Sequence, residues 1–159
     1  MTHRILATVD PTGCRVDAVT PQNQPITMDA DPPEGRDSAA GPKETVLAAL
    51  AGCTAADVAS ILRKKRQAVA TYEIEVTGES AEEHPKVFTA ITVVHRVSGA
   101  VEPEALRRSI ELSATKYCPV NAMLSASVTI EHRYRLAAED GTVSEALVAV
   151  TGPGGPRVA

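Results

Sequence analysis

Residues 43–66 form a long apolar segment that is predicted to be a helix with no polar face in its first half. From Val46 to Cys53 no residue is charged, and Val58 and Leu62 continue the apolar pattern at helical spacing. The segment ends in the letters RKKR, and basic residues suit the C-terminal end of a helix dipole. A helix that is apolar on every side is buried on every side. We therefore expect a central helix, or one that also packs against a second subunit.

The segments around this helix alternate polar and apolar residues, as half-buried strands do. The expected elements are strands within residues 4–30 and at 71–80, 86–99 and 127–137, with helices at 103–117 and 119–124. This order predicts an α+β fold with mostly antiparallel sheets around a long central helix. The 159 residues suit one domain, 1–159, in which residues 138–159 form a weakly organised C-terminal extension.

The composition argues against two classes of partner. A net charge of -4 and a content of one Phe, three Tyr and no Trp do not suit a nucleic-acid binder that stacks bases. No apolar stretch approaches the roughly 18 residues of a membrane span. The first residues, MTHRILATVDPTG, lack the apolar run of a signal peptide. We expect a cytoplasmic protein with no nucleic-acid or membrane partner.

The chain has three cysteines, too few and too far apart for a disulfide framework. Cys53 lies in the apolar half of the long helix, where the simplest interpretation is a small core residue. Cys118 directly precedes Pro119, at the N-cap of the predicted short helix. The free N–H groups there favour a thiolate and are expected to lower the pKa of Cys118. Sequence alone allows the two thiols to meet without requiring it.

The remaining polar residues give no metal-binding pattern. The chain has no Cys-x-x-Cys or His-x-x-x-His spacing, so no metal site is expected. His95 and His132 alternate with apolar residues and are expected on the faces of a sheet. Asp57 lies four residues after Cys53 and can share its helix face. Because a carboxylate there disfavours a thiolate, we expect Asp57 to face solvent or to pair with a basic residue.

Two motifs together resemble the OsmC/Ohr family, in its OsmC-like branch. They are ETVLAALAGCTAADV around Cys53 and TKYCPVNAML around Cys118, 65 positions further on. SILRKKRQ after the first motif and EEHPKVFT between the motifs agree with the family. The resemblance covers about residues 12–136. It implies an OsmC-like fold in an intertwined homodimer whose active sites are built from both chains.

The resemblance also implies an activity, which is thiol-dependent reduction of organic hydroperoxides. Cys53 matches the peroxidatic cysteine, which becomes a sulfenic acid, and Cys118 matches the resolving cysteine, which forms the disulfide. An external small or lipoyl-type dithiol would restore both thiols, with no bound cofactor. Cys14 has no counterpart in the family and is expected to be a bystander on a strand.

The family also pairs an arginine with a glutamate to stabilise the peroxidatic thiolate. Arg15 fits the arginine position best, with Arg36 as the alternative, and Glu44 is the natural glutamate. The well-studied branch places its glutamate one residue earlier, where this chain has Lys43. Adjacent helical positions point about 100° apart. Glu44 would therefore point in a different direction from the glutamate of the Arg–Glu pair in the well-studied branch.

Two other classes of function remain open on the sequence. The chain could be a non-catalytic binder that holds an apolar small molecule at the dimer interface. It could also be a redox sensor that forms the disulfide but turns over slowly.

Overall fold

The computed structural model describes residues 1–159, which divide into two compact units, Met1–Val46 and Leu47–Ala159. The first unit contains a three-stranded antiparallel sheet in the order β1-β2-β3. Its strands are β1 (Leu6–Val9), β2 (Val16–Val19) and β3 (Pro25–Met28). The strands expected between residues 4 and 30 are therefore confirmed.

The long helix α1 spans Pro42–Lys64 and begins in the first unit. Proline suits its first turn because proline has no N–H to leave unpaired. The Glu44 carboxylate accepts a hydrogen bond of 2.8 Å from the N–H of Gly41, which satisfies a donor at the start of the helix. Arg63 and Lys64 occupy the last turn. The expected segment is thus confirmed to within two residues at each end.

The burial of α1 differs from the expectation of a helix covered on every side. One stripe at helical spacing is buried: Leu50, Thr54, Val58 and Leu62. Ala48, Ala49, Gly52 and Ala56 are exposed in the single chain. One sheet can cover only one face of a helix, so the apolar residues on the other faces stay uncovered. By length and composition alone α1 would also suit a membrane span, so the expectation that no stretch approaches one was wrong.

A five-stranded sheet in the order β4-β5-β6-β7-β8 forms the centre of the second unit. The strands are β4 (Ala68–Ser80), β5 (Phe88–Ala100), β6 (Thr129–Ala137), β7 (Val143–Thr151) and β8 (Arg157–Val158). Only β5 and β6 pair in parallel. The sheet confirms an α+β fold with mostly antiparallel pairing.

The expectation of a weakly organised C-terminal extension was wrong. Strand β7 pairs with β6 along its length, and its Val148 and Ala149 are fully buried. The sequence EALVAV was too short to separate a strand from a helical turn by its period. The backbone pairing with β6 decides between them, and it places Val148 and Ala149 in the core cluster that also holds Leu136.

The parallel step from β5 to β6 needs a crossover, which the chain makes with helices. Helix α2 (Pro103–Leu112) runs into a π-helical turn at Ser113–Tyr117, and helix α3 (Pro119–Leu124) follows. The start of α2 and both ends of α3 were predicted, but the π-helical turn was not. Leu106 and Ile110 of α2 are fully buried in one core cluster with Val58 and Leu62 of α1. The crossover therefore brings the start of α3 to the sheet face that α1 covers.

Candidate functional site

The second unit brings Cys53, Asp57 and Cys118 together. One ligand atom from each residue, the two Sγ atoms and a carboxylate oxygen, lies within 4.8 Å of the other two. Cys53 and Asp57 are four residues apart on α1, so they share a helix face. All three cysteines of the chain are free. The two motifs quoted above thus meet at one place in the fold.

The π-helical turn and Pro119 fix the position of Cys118. The Cys118 N–H donates to the carbonyl of Ser113, five residues earlier, at 3.0 Å. The residue before a proline avoids helical angles, and Cys118 is extended with φ -73° and ψ 105°. Its Sγ accepts a hydrogen bond of 3.3 Å from the N–H of Asn121. The predicted N-cap position of Cys118 is therefore confirmed.

The predicted low pKa of Cys118 was wrong. Burial raises the pKa of the Cys118 thiol to about 12, and the neighbouring Cys53 thiol and the Asp57 charge act in the same direction. The N–H of Asn121 opposes them, but one such bond does not offset the loss of water around a side chain that is 3% exposed. Cys53 is only half-buried. The site thus pairs an accessible thiol with a buried one that holds its proton.

Asp57 also departs from the expectation that it would face solvent or a basic residue. Its Oδ2 accepts a hydrogen bond of 3.0 Å from the hydroxyl of Ser113. Thr54 Oγ1 lies 3.0 Å from the same Ser113 oxygen. Since Ser113 gives its one proton to the carboxylate, Thr54 must donate to Ser113. This buried chain of hydroxyls turns the carboxylate towards the two sulfurs.

Asn121 connects the cysteine segment to the sheet. Its side-chain N–H donates to the carbonyl of Ala114 at 2.8 Å, which leaves its Oδ1 to accept from His132 Nε2 at 2.9 Å and from the Thr151 hydroxyl at 3.3 Å. These bonds hold the π-helical turn, α3, β6 and β7 together. Ser113 and Asn121 are functional candidates that the sequence did not single out.

Two buried histidines extend this network across the sheet. His95 and His132 are fully buried, as expected of residues on a sheet face, and their rings stack with centroids 6.4 Å apart. The Tyr72 hydroxyl lies 2.6 Å from His95 Nδ1. Burial lowers the pKa of His95 to about 3 and that of His132 to about 4, and each ring has one nitrogen without a partner. Both rings are therefore neutral at physiological pH.

The other predicted site residues lie in the first unit. The Arg15 guanidinium binds the Asp17 carboxylate and the Ser38 hydroxyl, each at 3.0 Å. Arg36 lies 4.0 Å from the Asp10 carboxylate, with 72% of its side chain exposed. Glu44 caps α1 as described above. The roles of these residues towards Cys53 stay predictions.

Cys14 also belongs to the first unit. It is exposed and lies two residues before β2, rather than on a strand as expected.

Comparisons with known proteins agree on one family. The model of the OsmC-like protein family matches residues 35–133. The Escherichia coli K12 protein YhfA is 45% identical over 103 residues, which are 64% of this chain and 77% of YhfA.

Two solved structures extend the comparison to the fold. A hypothetical protein from Aquifex aeolicus VF5 is 27% identical with a TM-score of 0.78, over 87% of this chain and 98% of that one. An organic hydroperoxide resistance protein from Legionella pneumophila has a TM-score of 0.62 over 83% of this chain and 95% of its own. It is 14% identical, so this likeness concerns the fold alone.

Proposed function

The chain belongs to the family of OsmC-like proteins, and we propose that within this family it is a thiol-dependent peroxidase that reduces organic hydroperoxides to alcohols. The observation that carries the proposal is the meeting of a half-buried thiol, Cys53, with a buried one, Cys118, whose sulfurs lie within 4.8 Å. Such a pair suits a reaction in which the accessible sulfur meets the substrate first.

The first chemical step takes place at Cys53. Its thiolate attacks an oxygen of the hydroperoxide, the O–O bond breaks, and the alkoxide leaves and is protonated to the alcohol. The sulfur loses two electrons and becomes a sulfenic acid. Arg15 is the cation proposed to stabilise the attacking thiolate, with Glu44 as its partner and Arg36 as the alternative.

The second step joins the two cysteines. The Cys118 thiolate attacks the Cys53 sulfenic acid and displaces its oxygen as water, and a disulfide forms. The two sulfurs must then approach from within 4.8 Å to a bond of about 2.05 Å. Because Cys118 holds its proton tightly, this step is proposed to be slower than the attack on the peroxide.

Recycling requires electrons from outside the chain. A small or lipoyl-type dithiol attacks the disulfide, forms a mixed disulfide and then closes its own ring, which returns both thiols. No bound cofactor takes part in this proposal. A reducing compartment such as the cytoplasm would supply the dithiol.

A homodimer is proposed to complete the fold. The exposed apolar surface of α1, which includes Ala48, Ala49, Gly52 and Ala56, is made of small residues that let another helix approach closely. At Gly52 nothing lies within 4 Å of the place where a Cβ would be. A second copy that covers this surface would bury the apolar residues of α1 that are exposed in the single chain.

Steady-state turnover tests the proposal. Reduced protein with a dithiol such as dihydrolipoamide should consume cumene hydroperoxide catalytically, and Cys53→Ser should abolish consumption. Cys14→Ser is the matched control, because it removes an exposed thiol outside the pair and should retain full turnover. Consumption that continues undiminished in Cys53→Ser would refute the proposal.

A slow redox sensor is the second candidate, and the high pKa of Cys118 favours it, because a thiol of high pKa leaves slowly when a dithiol attacks the disulfide at Cys53. A sensor would form the disulfide in one oxidation and then recycle slowly with every dithiol. Comparing the rate of the first oxidation with the steady-state rate separates the two functions. A steady-state rate close to that of the first oxidation favours the peroxidase.

A further inference from the structure

The cluster of Cys53, Asp57 and Cys118 has the composition of a metal site, although no spacing in the sequence indicated one. Two thiols and a carboxylate are ligands that zinc accepts, and zinc sites with three protein ligands keep a fourth position open. Zinc bonds of about 2.3 Å to sulfur and about 2.1 Å to oxygen place tetrahedral ligand atoms roughly 3.6 to 3.8 Å apart. The three atoms here already lie within 4.8 Å of one another, so small side-chain rotations suffice.

The surroundings of the cluster orient the ligands, as the outer shell of a metal site does. The Ser113 hydroxyl binds Oδ2 of Asp57 at 3.0 Å, which leaves the other carboxylate oxygen available. Thr54 in turn donates to Ser113. The N–H of Asn121 points at the Cys118 sulfur from 3.3 Å, as amide donors do towards metal-bound thiolates. These contacts would hold the Asp57 carboxylate and the Cys118 sulfur in place for a cation.

The charge of the cluster also points to a cation. A carboxylate and two thiols that can ionise converge from α1 and α3, and the partner of the carboxylate is a hydroxyl rather than a basic side chain. A divalent cation between the three groups would be attracted by the carboxylate charge and would stabilise the two sulfurs as thiolates.

We propose that the reduced protein binds one Zn²⁺ through Cys53 Sγ, Cys118 Sγ and the Asp57 carboxylate, with the fourth position open to water. This inference goes beyond the proposed peroxidase. Binding releases two thiol protons, and the bound zinc occupies both sulfurs. Oxidation by a hydroperoxide takes two electrons from the two thiolates, forms the disulfide, consumes two protons to give alcohol and water, and releases Zn²⁺. Bound zinc and the Cys53–Cys118 disulfide therefore exclude each other.

The test measures metal uptake by the full-length protein, reduced and freed of metal. Competition with a chromogenic zinc chelator gives the stoichiometry and affinity, and Co²⁺ serves as a spectroscopic probe, because thiolate ligation produces a charge-transfer band. We expect one Zn²⁺ per chain and a thiolate–cobalt band. Oxidation with one equivalent of hydroperoxide should abolish both.

Four variants locate the site, with circular dichroism as the check that each is folded. Cys118→Ser and Asp57→Asn should weaken zinc binding at least 100-fold. Ser113→Ala, which removes only the contact that orients Asp57, should weaken it by roughly 10-fold. Cys14→Ser should bind as the natural chain does. Asp57→Asn keeps the oxygen that Ser113 binds, so its loss of zinc reports on the charge rather than on folding.

The outcomes separate this inference from the peroxidase proposal. No zinc uptake, or uptake unchanged by Asp57→Asn and Cys118→Ser, would overturn the zinc site even if hydroperoxide oxidises the thiols. Tight zinc binding by a protein whose thiols survive hydroperoxide without metal would uphold the site and refute the peroxidase.

Discussion

Acidification is predicted to destabilise the protein through its two buried histidines. His95 and His132 have pKa values lowered by burial to about 3 and about 4, from an ordinary value of 6.5. The unfolded chain therefore binds more protons than the folded one below pH 6.5. Stability is complete above pH 6.5 and falls as the pH drops towards the folded-state values. The polar side chains that contact the two rings are those of Tyr72, whose pKa is raised by burial, and of Asn121, which is neutral.

The size of the effect follows from these values. At pH 5 each unfolded imidazole is almost fully protonated, while its folded counterpart remains almost neutral. Each histidine then lowers the free energy of unfolding by about 2 kcal/mol relative to pH 7.5, and the two together lower it by about 4 kcal/mol. That is a large share of the 5–15 kcal/mol that is typical of a folded domain. Carboxylates with a lowered pKa, such as Asp29 at about 2, also contribute to stability, but their contribution is lost only below pH 5.

Urea unfolding at fixed protein concentration, at pH 7.5 and at pH 5, measures the difference. His132→Gln replaces one titrating ring with a neutral amide, and should reduce the loss between the two pH values from about 4 to about 2 kcal/mol. His84→Gln, at an exposed hairpin position, is the matched control for a histidine substitution. A free energy of unfolding that is equal at both pH values would show that the two histidines do not control acid stability, as would an unchanged pH dependence in His132→Gln.

Three further predictions follow from the site and from the surface of α1. Asp57→Asn removes a charge within 4.8 Å of the Cys118 sulfur, which should lower the pKa of that thiol and speed disulfide formation up to about threefold in a stopped-flow single turnover; slower disulfide formation would contradict this. Asn121→Ala leaves three buried partners unpaired and should reduce the free energy of unfolding in urea by about 3 kcal/mol; a loss below 1 kcal/mol would mean that water replaces the amide. Light scattering should give twice the chain mass of 16.7 kDa, and a charged residue in place of Ala49 should shift it to the monomer; a monomeric natural chain would contradict the proposed dimer.

Much of the fold could be predicted from local patterns. The apolar spacing and basic end of α1 fixed its bounds to within two residues, and Pro119 marked the start of α3. Strands β4 to β6 followed from alternation. The π-helical turn at Ser113–Tyr117 could not be predicted, because its residues fit an ordinary helix equally well. The π-helical turn is selected by tertiary packing, which buries Ser113 against Thr54.

The site could be predicted only in part. The resemblance singled out Cys53 and Cys118, and the structure places them together. The orientation of Asp57 was predicted wrongly, because the hydroxyl chain that holds it comes from a segment 56 residues away in sequence. The high pKa of Cys118 was missed for the same reason: local N-cap chemistry is visible in the sequence, whereas desolvation depends on the core that closes over the thiol.

Cys53 and Cys118 are proposed to form one redox centre. Its most direct test is intact-mass analysis with a thiol count after one equivalent of cumene hydroperoxide is added to the reduced protein, beside Cys53→Ser and Cys118→Ser. The natural chain is expected to lose two thiols as an intramolecular Cys53–Cys118 disulfide. Cys118→Ser should stop at a sulfenic acid on Cys53, and Cys53→Ser should keep its thiols. Survival of all thiols in the natural chain under excess hydroperoxide would show that the two cysteines do not form a redox centre.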